Sequence, residues 1–213
     1  MQKNSVTTVI VDYGVGNLFS LKSSLAAIGT EALVTGDPEL IYGAERIILP
    51  GVGAFGDAAD KLRENGLDAV VRSAAADGTP LLGICLGMQL LFDESEEFGL
   101  HKGLGLIPGT VKSISGVIPA ELKVPHMGWN PLIFKNGRDP LFRCISEGDC
   151  VYFVHSFYGA DCAESTIATA EYGAELTAAV RRGNVCGCQF HPEKSGSTGL
   201  NIRRAFCEEV RQC

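Results

Sequence analysis

PLLGICLGMQLLF, Pro80 to Phe92, is a short apolar run that leads in to Cys85 and a longer one that leads out. A brief apolar run without alternation fits a strand buried on both faces, and such strands belong to parallel sheets covered by helices. The stretch reads as a strand, PLLGIC, that hands over at Cys85 to a helix, LGMQLLFDESEE. Buried cysteines are common and usually inert, so the glycines placed evenly on either side of this one, Gly83 and Gly87, need a reason. GICLG has the layout of a nucleophile elbow with cysteine in place of serine. In such an elbow the nucleophile projects from a strained strand-to-helix corner, and glycine removes the side chains that would crowd it. The helix that follows points its N-terminus at Cys85 and favours the thiolate. The backbone N–H of Leu86 is then free to bind a developing oxyanion.

Outward from that corner the same alternation recurs. TTVIVDYG is a short apolar strand, and NLFSLKSSLAAIG follows as a helix with Leu18, Leu21, Leu25 and Ile28 on one face and Gly29 as its stop. EALVTG and ERIILPG read as further strands, DAADKLRENG and LDAVVRSAAADG as helices. The second half changes character: TVKSI, KVPHMGWNPLIF, CVYFVHSFYG, STIATAEYG, LTAAVRRG and VCGCQF are strand-like and separated by turn residues. A closing helix carries Ile202, Phe206 and Val210 on one face. The expectation is an α/β fold in three layers: a mostly parallel sheet flanked by helices, with additional antiparallel strands. With no repeat or linker in sight, residues 1–213 read as a single domain.

Bulk properties narrow the function. Hydrophobic residues make up 46% of the chain and charged ones 20%, enough for a substantial core and against disorder. Net charge is −7 with no basic patch, which argues against nucleic acid as a partner. The N-terminal apolar stretch is too short for a secretion signal, and no run approaches the ~20 residues of a membrane span. The expectation is a cytoplasmic protein with no membrane partner. The eight cysteines are scattered without a C-x-x-C pair, so they read as free thiols. Cys186 and Cys188 in NVCGCQF lack the spacing of a metal site and fit a strand with small residues on one face.

A thiolate nucleophile needs a base, and the base needs an orienting group. Of the four histidines, His191 has the distinctive context, QFHPEKS. Pro192 forces His191 into an extended conformation, which would place Glu193 on the same side as His191 and let it hold the imidazole by one nitrogen. Taken alone, H-P-E reads equally as a surface histidine in a turn beside a solvated glutamate. PGVGAFG contains a literal G-x-G-x-x-G in Gly51, Gly53 and Gly56. A dinucleotide site is weakened by Pro50 and by the position of Asp68 in helical sequence. The competing reading is a mobile glycine loop that completes an oxyanion hole at Val52. DYGVGNL (Gly14, Gly16) is weaker still as a phosphate loop.

Together, GICLGMQ, QFHPEKS and PGVGAFG resemble the class I, triad-type glutamine amidotransferases. More narrowly, VIVDYGVGNLFSL and KVPHMGWNPL are similar to the glutaminase subunits of imidazole glycerol phosphate synthase, which serve histidine biosynthesis. The resemblance runs from about Val9 to about Phe206. It implies a catalytic triad of Cys85, His191 and Glu193, an oxyanion hole from the Val52 and Leu86 backbone, no metal and no cofactor. It implies glutamine as substrate, with Gly53, Gln89, Ser156, Phe157 and Glu97 as its contacts. Gln89 could instead be a solvent-facing helix residue and Ser156 part of a core strand. The family often has tyrosine at Phe157, so a hydroxyl contact there is not expected. The implied partner is a (β/α)₈-barrel cyclase that receives ammonia through a channel. Met127, Trp129 and Asn130 of PHMGWN would face it, although a lone tryptophan also reads as core. A glutaminase of anthranilate, GMP or pyridoxal phosphate synthesis, or a non-catalytic regulatory subunit, remains the alternative. Gly51 and Gly53 are expected to let the Val52 peptide rotate, so that the hole is completed only with partner and ligand present.

Overall fold

Side chains alternate across very short strands, and that alternation builds the layers. The computed structural model describes residues 8–209, so Val210 and Cys213 lie outside the described residues. The first part of the chain runs β1 (Val9–Val11), α1 (Leu18–Ala26), β2 (Leu33–Thr35), α2 (Pro38–Tyr42), β3 (Ile47–Leu49), α3 (Phe55–Glu64), α4 (Leu67–Ala76), β4 (Leu81–Ile84) and α5 (Leu86–Gln89). Val9, Val11, Ile47, Leu49 and Leu81 share one core with Phe55, Leu62 and Val71 of α3 and α4. Ile10, Ile48, Leu82 and Ile84 lie in a second core with Leu21 and Leu25 of α1. β1, β3 and β4 are therefore buried on both faces, which is why their sequences show no polar alternation.

The second part runs β5 (Phe92–Ser95), β6 (His101–Lys102), β7 (Ile107–Ser113), β8 (His126–Pro131), β9 (Ile133–Phe134), β10 (Cys150–His155), β11 (Phe157–Ala160), β12 (Thr166–Glu171), β13 (Glu175–Arg182), β14 (Val185–Cys188) and α6 (Gly196–Glu209). The main sheet has eight strands in the order β2-β1-β3-β4-β14-β13-β12-β9. The strands from β2 to β14 in that order pair in parallel, and β13, β12 and β9 add antiparallel. α6 closes the second face through Ile202 and Phe206, against which Cys186 and Cys188 of β14 also pack. The other strands form a four-stranded sheet, β11-β7-β5-β6, and the antiparallel pair β10-β8. This is the three-layer α/β architecture with antiparallel additions that the sequence predicts.

The helix expected over LGMQLLFDESEE is a single turn. α5 ends at Gln89, and Phe92–Ser95 pairs as β5, parallel to β7 and antiparallel to β6. Backbone pairing decides the matter. The carbonyls of Leu91 and Phe92 accept from the N–H groups of Leu106, Ile107 and Gly105 instead of from a continuing helix. Four helical residues carry little macrodipole, so only the local N–H groups of that turn favour an anion beside Cys85.

The corner itself is built from close backbone approach. Cys85 has φ 54° and ψ −113°, a strained conformation for a residue with a side chain. A Cβ on Gly83 would lie 2.6 Å from the Gly87 carbonyl oxygen, and one on Gly87 would lie 1.9 Å from the Leu49 carbonyl oxygen. Both obstacles are backbone and cannot swing away. Gly87→Ala is expected to destabilise the fold by about 3 kcal/mol or more, as a shift in the urea unfolding midpoint.

Candidate active site

Adjacent parallel strands bring the chemistry together at their carboxyl ends, where ligands of open α/β sheets bind. β4 and β14 pair with Ile84 opposite Cys188, and the N–H of Cys85 donates to the Cys188 carbonyl (2.8 Å). Cys85 leaves β4 at that point, and the chain beyond β14 reaches His191 after Gln189 and Phe190. Cys85 and His191 line one cavity, and the Cys85 sulfur acts on the imidazole electrostatically. His191 Nδ1 meets Glu193 Oε1 at 2.8 Å. His191 is only 4% exposed, which excludes the reading of a surface histidine beside a solvated glutamate.

The H-P-E segment achieves this by a turn, not by the extended run expected from sequence. His191 is extended (φ −101°, ψ 96°), but Pro192 starts a 3₁₀ turn, Pro192–Lys194, that curls Glu193 back onto the imidazole. Ser195, the last residue of HPEKS, holds the turn in place. Its buried hydroxyl donates to the His191 carbonyl (2.7 Å) and accepts from the Tyr152 N–H (2.9 Å), while the His191 N–H donates to the Tyr152 carbonyl.

The charges follow from these contacts. Burial by itself would push the His191 pKa down, but the interactions with Cys85 and Glu193 and their negative charge outweigh it and raise it to about 9. Burial would push Glu193 up, yet its bond to His191 brings the pKa below the usual carboxylate value, helped by the charge of buried Arg203 on α6. His191 therefore holds its second proton at neutral pH, and Glu193 is ionised behind it.

A cavity of about 430 Å³ opens over the triad and is lined by Val52, Gly53, Cys85, Leu86, Gln89, Glu97, Ser156, Phe157 and His191, among others. Every residue singled out from sequence as an oxyanion or substrate contact thus borders one space. A larger groove of about 560 Å³ lies elsewhere, around Lys135, Tyr158 and Thr169, and contains none of the triad.

Several of these residues are already engaged. Gln89 is buried, not solvent-facing; its Nε2 donates to the Phe157 carbonyl (3.0 Å) and to Gln189 Oε1 (2.9 Å). Gln189 Nε2 in turn reaches Cys85 Sγ at 3.9 Å. Sequence reading missed Gln189, although it lies directly before FHPEKS and on the strand end that pairs with Cys85. The Ser156 carbonyl accepts from the Ile114 N–H, and the Phe157 carbonyl also receives His155. The strap's carbonyls are therefore committed within the protein. Glu97 Oε2 accepts from the Phe55 N–H at 2.7 Å and so caps α3, which has no side-chain cap of its own.

That cap also resolves the glycine loop. The anion at the α3 N-terminus is the chain's own Glu97. Gly56 lies under the His101 ring, which comes within 2.7 Å of where a Cβ would stand. The dinucleotide reading therefore falls. A Cβ on Gly51 would lie 2.6 Å from the Gly87 nitrogen, so close packing there needs glycine. Gly53, at φ +95° with open space around it, is the conformationally free residue beside Val52. Tyr13 of DYGVGNL is buried and its hydroxyl donates to the Pro50 carbonyl (2.7 Å), so that motif braces the loop from below and is no phosphate site.

Alternation along β8 separates the PHMGWN residues. Met127 and Trp129 are 60% and 54% exposed, so the tryptophan is not core. Asn130, half-buried on the same side of β8 as His126, bonds His126 and the Glu171 carbonyl through its amide.

Residues 9–209 match the family described as Glutamine amidotransferase class-I. The chain is 52% identical over 204 residues to the imidazole glycerol phosphate synthase subunit HisH of Geobacillus sp. (strain WCH70), covering 94% of this chain and 96% of that one. It is 50% identical to the protein of the same name from Methanosarcina acetivorans, covering 94% and 97%. Among solved structures, a glutamine amidotransferase superposes with a TM-score of 0.74 at 23% identity, over 95% of this chain and 98% of that one. PurLQS from Thermotoga maritima gives 0.75 at 23% identity, over 97% and 99%. At that identity the likeness speaks for the fold alone.

Because the His191 pKa lies above its ordinary 6.5, the stability it contributes is complete below that pH and is lost as pH rises through about 9. Glu193 contributes in the opposite sense, above its ordinary 4.5 and lost as pH falls through its lowered value. The urea midpoint is expected to fall as pH rises from 6.5 to 9, and Glu193→Gln to flatten that slope; an unchanged slope in the variant would disprove the coupling.

Proposed function

The chain belongs to the class I glutamine amidotransferases, and on that premise we propose that it is the glutaminase subunit of an imidazole glycerol phosphate synthase. In this reading one domain hydrolyses glutamine to glutamate and ammonia for histidine biosynthesis. The observation that carries the reading is the Cys85–His191–Glu193 line at the floor of the cavity, set in a chain that is half identical, over nearly its whole length, to subunits of that name.

Cys85 attacks the side-chain amide carbon of glutamine as a thiolate while His191 holds the proton. The tetrahedral oxyanion is met by the N–H groups of Leu86 and Val52, aimed at charge that develops only in the transition state. His191 gives its proton to the departing ammonia, leaving a glutamyl thioester on Cys85. Water then attacks the thioester with His191 as base, and glutamate leaves. Glu193 fixes the imidazole throughout and steadies its positive charge. Gly53, Gln89, Glu97 and the Ser156–Phe157 strap border the substrate. Gln89 acts there through its free Oε1, its amide nitrogen being occupied. Glu97 has one oxygen left for the glutamine amino group.

Ammonia released into water becomes ammonium and loses its nucleophilicity, so it has to pass directly to an acceptor. We assign that role to a (β/α)₈-barrel cyclase seated over the exposed Met127 and Trp129. Large apolar side chains at a surface mark docking sites. Among the described residues no helix is long and apolar enough to cross a membrane, in keeping with a cytoplasmic enzyme.

Mixed with the barrel subunit and its ribotide ligand, the chain is expected to release glutamate from glutamine. No release under those conditions sinks the assignment. Release with a partner of anthranilate, GMP or pyridoxal phosphate synthesis, in place of that barrel, moves it to another pathway. Cys85→Ala is expected to lower turnover by several orders of magnitude while partner binding survives. The isolated chain, with the Val52 peptide free to turn about Gly53, is expected to turn over slowly compared with the liganded complex.

A further inference from the structure

Two buried histidines take no part in the chemistry above. His126 and His155 face each other across the β8–β10 pair and form a chain of three contacts. His155 Nδ1 lies 2.8 Å from the Phe157 carbonyl oxygen, His155 Nε2 lies 3.0 Å from His126 Nδ1, and His126 Nε2 lies 2.8 Å from Asn130 Oδ1. The polarity of both ends is fixed. A carbonyl only accepts, so His155 Nδ1 carries a hydrogen. The Asn130 amide nitrogen donates to the Glu171 carbonyl (2.9 Å), which leaves Oδ1 facing His126, so His126 Nε2 also carries a hydrogen. The middle contact needs one hydrogen more. Two neutral imidazoles carry one ring hydrogen each, and this chain of contacts uses three.

We propose that His126 and His155 share one excess proton, and that the protonated pair is a positioning unit which ties the partner-facing β8 to the Phe157 strap. The proton count stands on geometry alone; the positioning role rests on the glutaminase reading above.

The surroundings both favour and oppose that proton. The His126 ring is stacked between Phe153 (centroids 4.9 Å apart, planes 22°) and Tyr172 (4.1 Å, 20°), and aromatic faces attract a cation. The Tyr172 hydroxyl is turned away to the Lys123 carbonyl. Burial works against the charge, lowering the His126 pKa and pushing His155 to about 4, with His191 adding repulsion on the His155 side. No carboxylate is among the groups acting on either ring. The pair therefore titrates as one unit, protonated at lower pH and discharged as pH rises. Discharge leaves lone pair against lone pair at the 3.0 Å contact, and the link between the strands opens.

What that link holds is close to the reaction. The Phe157 carbonyl that receives His155 also receives Gln89, and Gln89 leads through Gln189 to Cys85 Sγ. At the other end, β8 carries Met127 and Trp129 on its outer face. One proton thus joins the outer face of β8 to the strap that borders glutamine.

The test begins with the full chain labelled with ¹⁵N histidine. Wild type is expected to show three ring N–H signals from the pair, one of which disappears in a single step as pH rises. His126→Phe keeps the stack and leaves His155 with one ring hydrogen. Two ring hydrogens at every pH at which the chain is folded, or two independent titrations, would overturn the shared proton, and spectra of the wild type alone are enough to show either. In the complex with the barrel subunit, KM for glutamine is expected to rise several-fold through the same pH step while kcat does not follow it. His126→Phe is expected to lose that inflection. An inflection that persists in the variant overturns the positioning role. A complex with no glutaminase activity at all refutes the functional reading and the positioning role with it, and leaves the proton count to the spectra.

Discussion

The N–H of Cys85 donates to the carbonyl of Cys188, closing the parallel pairing of β4 with β14. Cys85 and His191 come from segments far apart in the chain, and this pairing, with the bonds from His191 and Ser195 to Tyr152, fixes their relative height above the sheet. A slip of one residue would turn Cys85 into the opposite face. The elbow's glycines, the turn at Pro192 and the bracing of the loop by Tyr13 all act around that anchor. The glycines let backbone approach backbone where a side chain would intervene.

Charge is managed with equal economy. The triad has two groups that burial would neutralise, and each is kept charged by the other. The same logic appears at α3, where Glu97 supplies the anion that a helix start accommodates. Gln89, Glu97 and the Phe157 carbonyl all hold the protein together at the rim of the cavity in which they stand.

Much of this was legible in the sequence because it depends on local pattern. Doubly buried strands show as apolar runs, Gly83 and Gly87 mark the tight corner, and H-P-E picks out the histidine and glutamate that meet. The misread features depend on distant chain. LGMQLLFDESEE has helical composition, but β7 claims Phe92 to Ser95 as a strand. Gly51 has the look of a pivot, and its close packing against Gly87 shows only in the fold. Gln189 matters only because β14 lies beside β4. No residue-by-residue pattern carries such pairings, since they are properties of the assembled sheet.

The main sheet ends in β2 on one side and β9 on the other, strands of three residues and two. Such stubs offer hardly any free backbone ladder, so a foreign strand has nothing to extend and amyloid-like edge growth is discouraged. Stickiness is left to side chains, and several of the large apolar ones left uncovered, Val52, Phe98, Met127 and Trp129, stand on the cavity rim or on the outer face of β8. At those places the protein presents side chains, and hardly any main-sheet edge, to whatever approaches it.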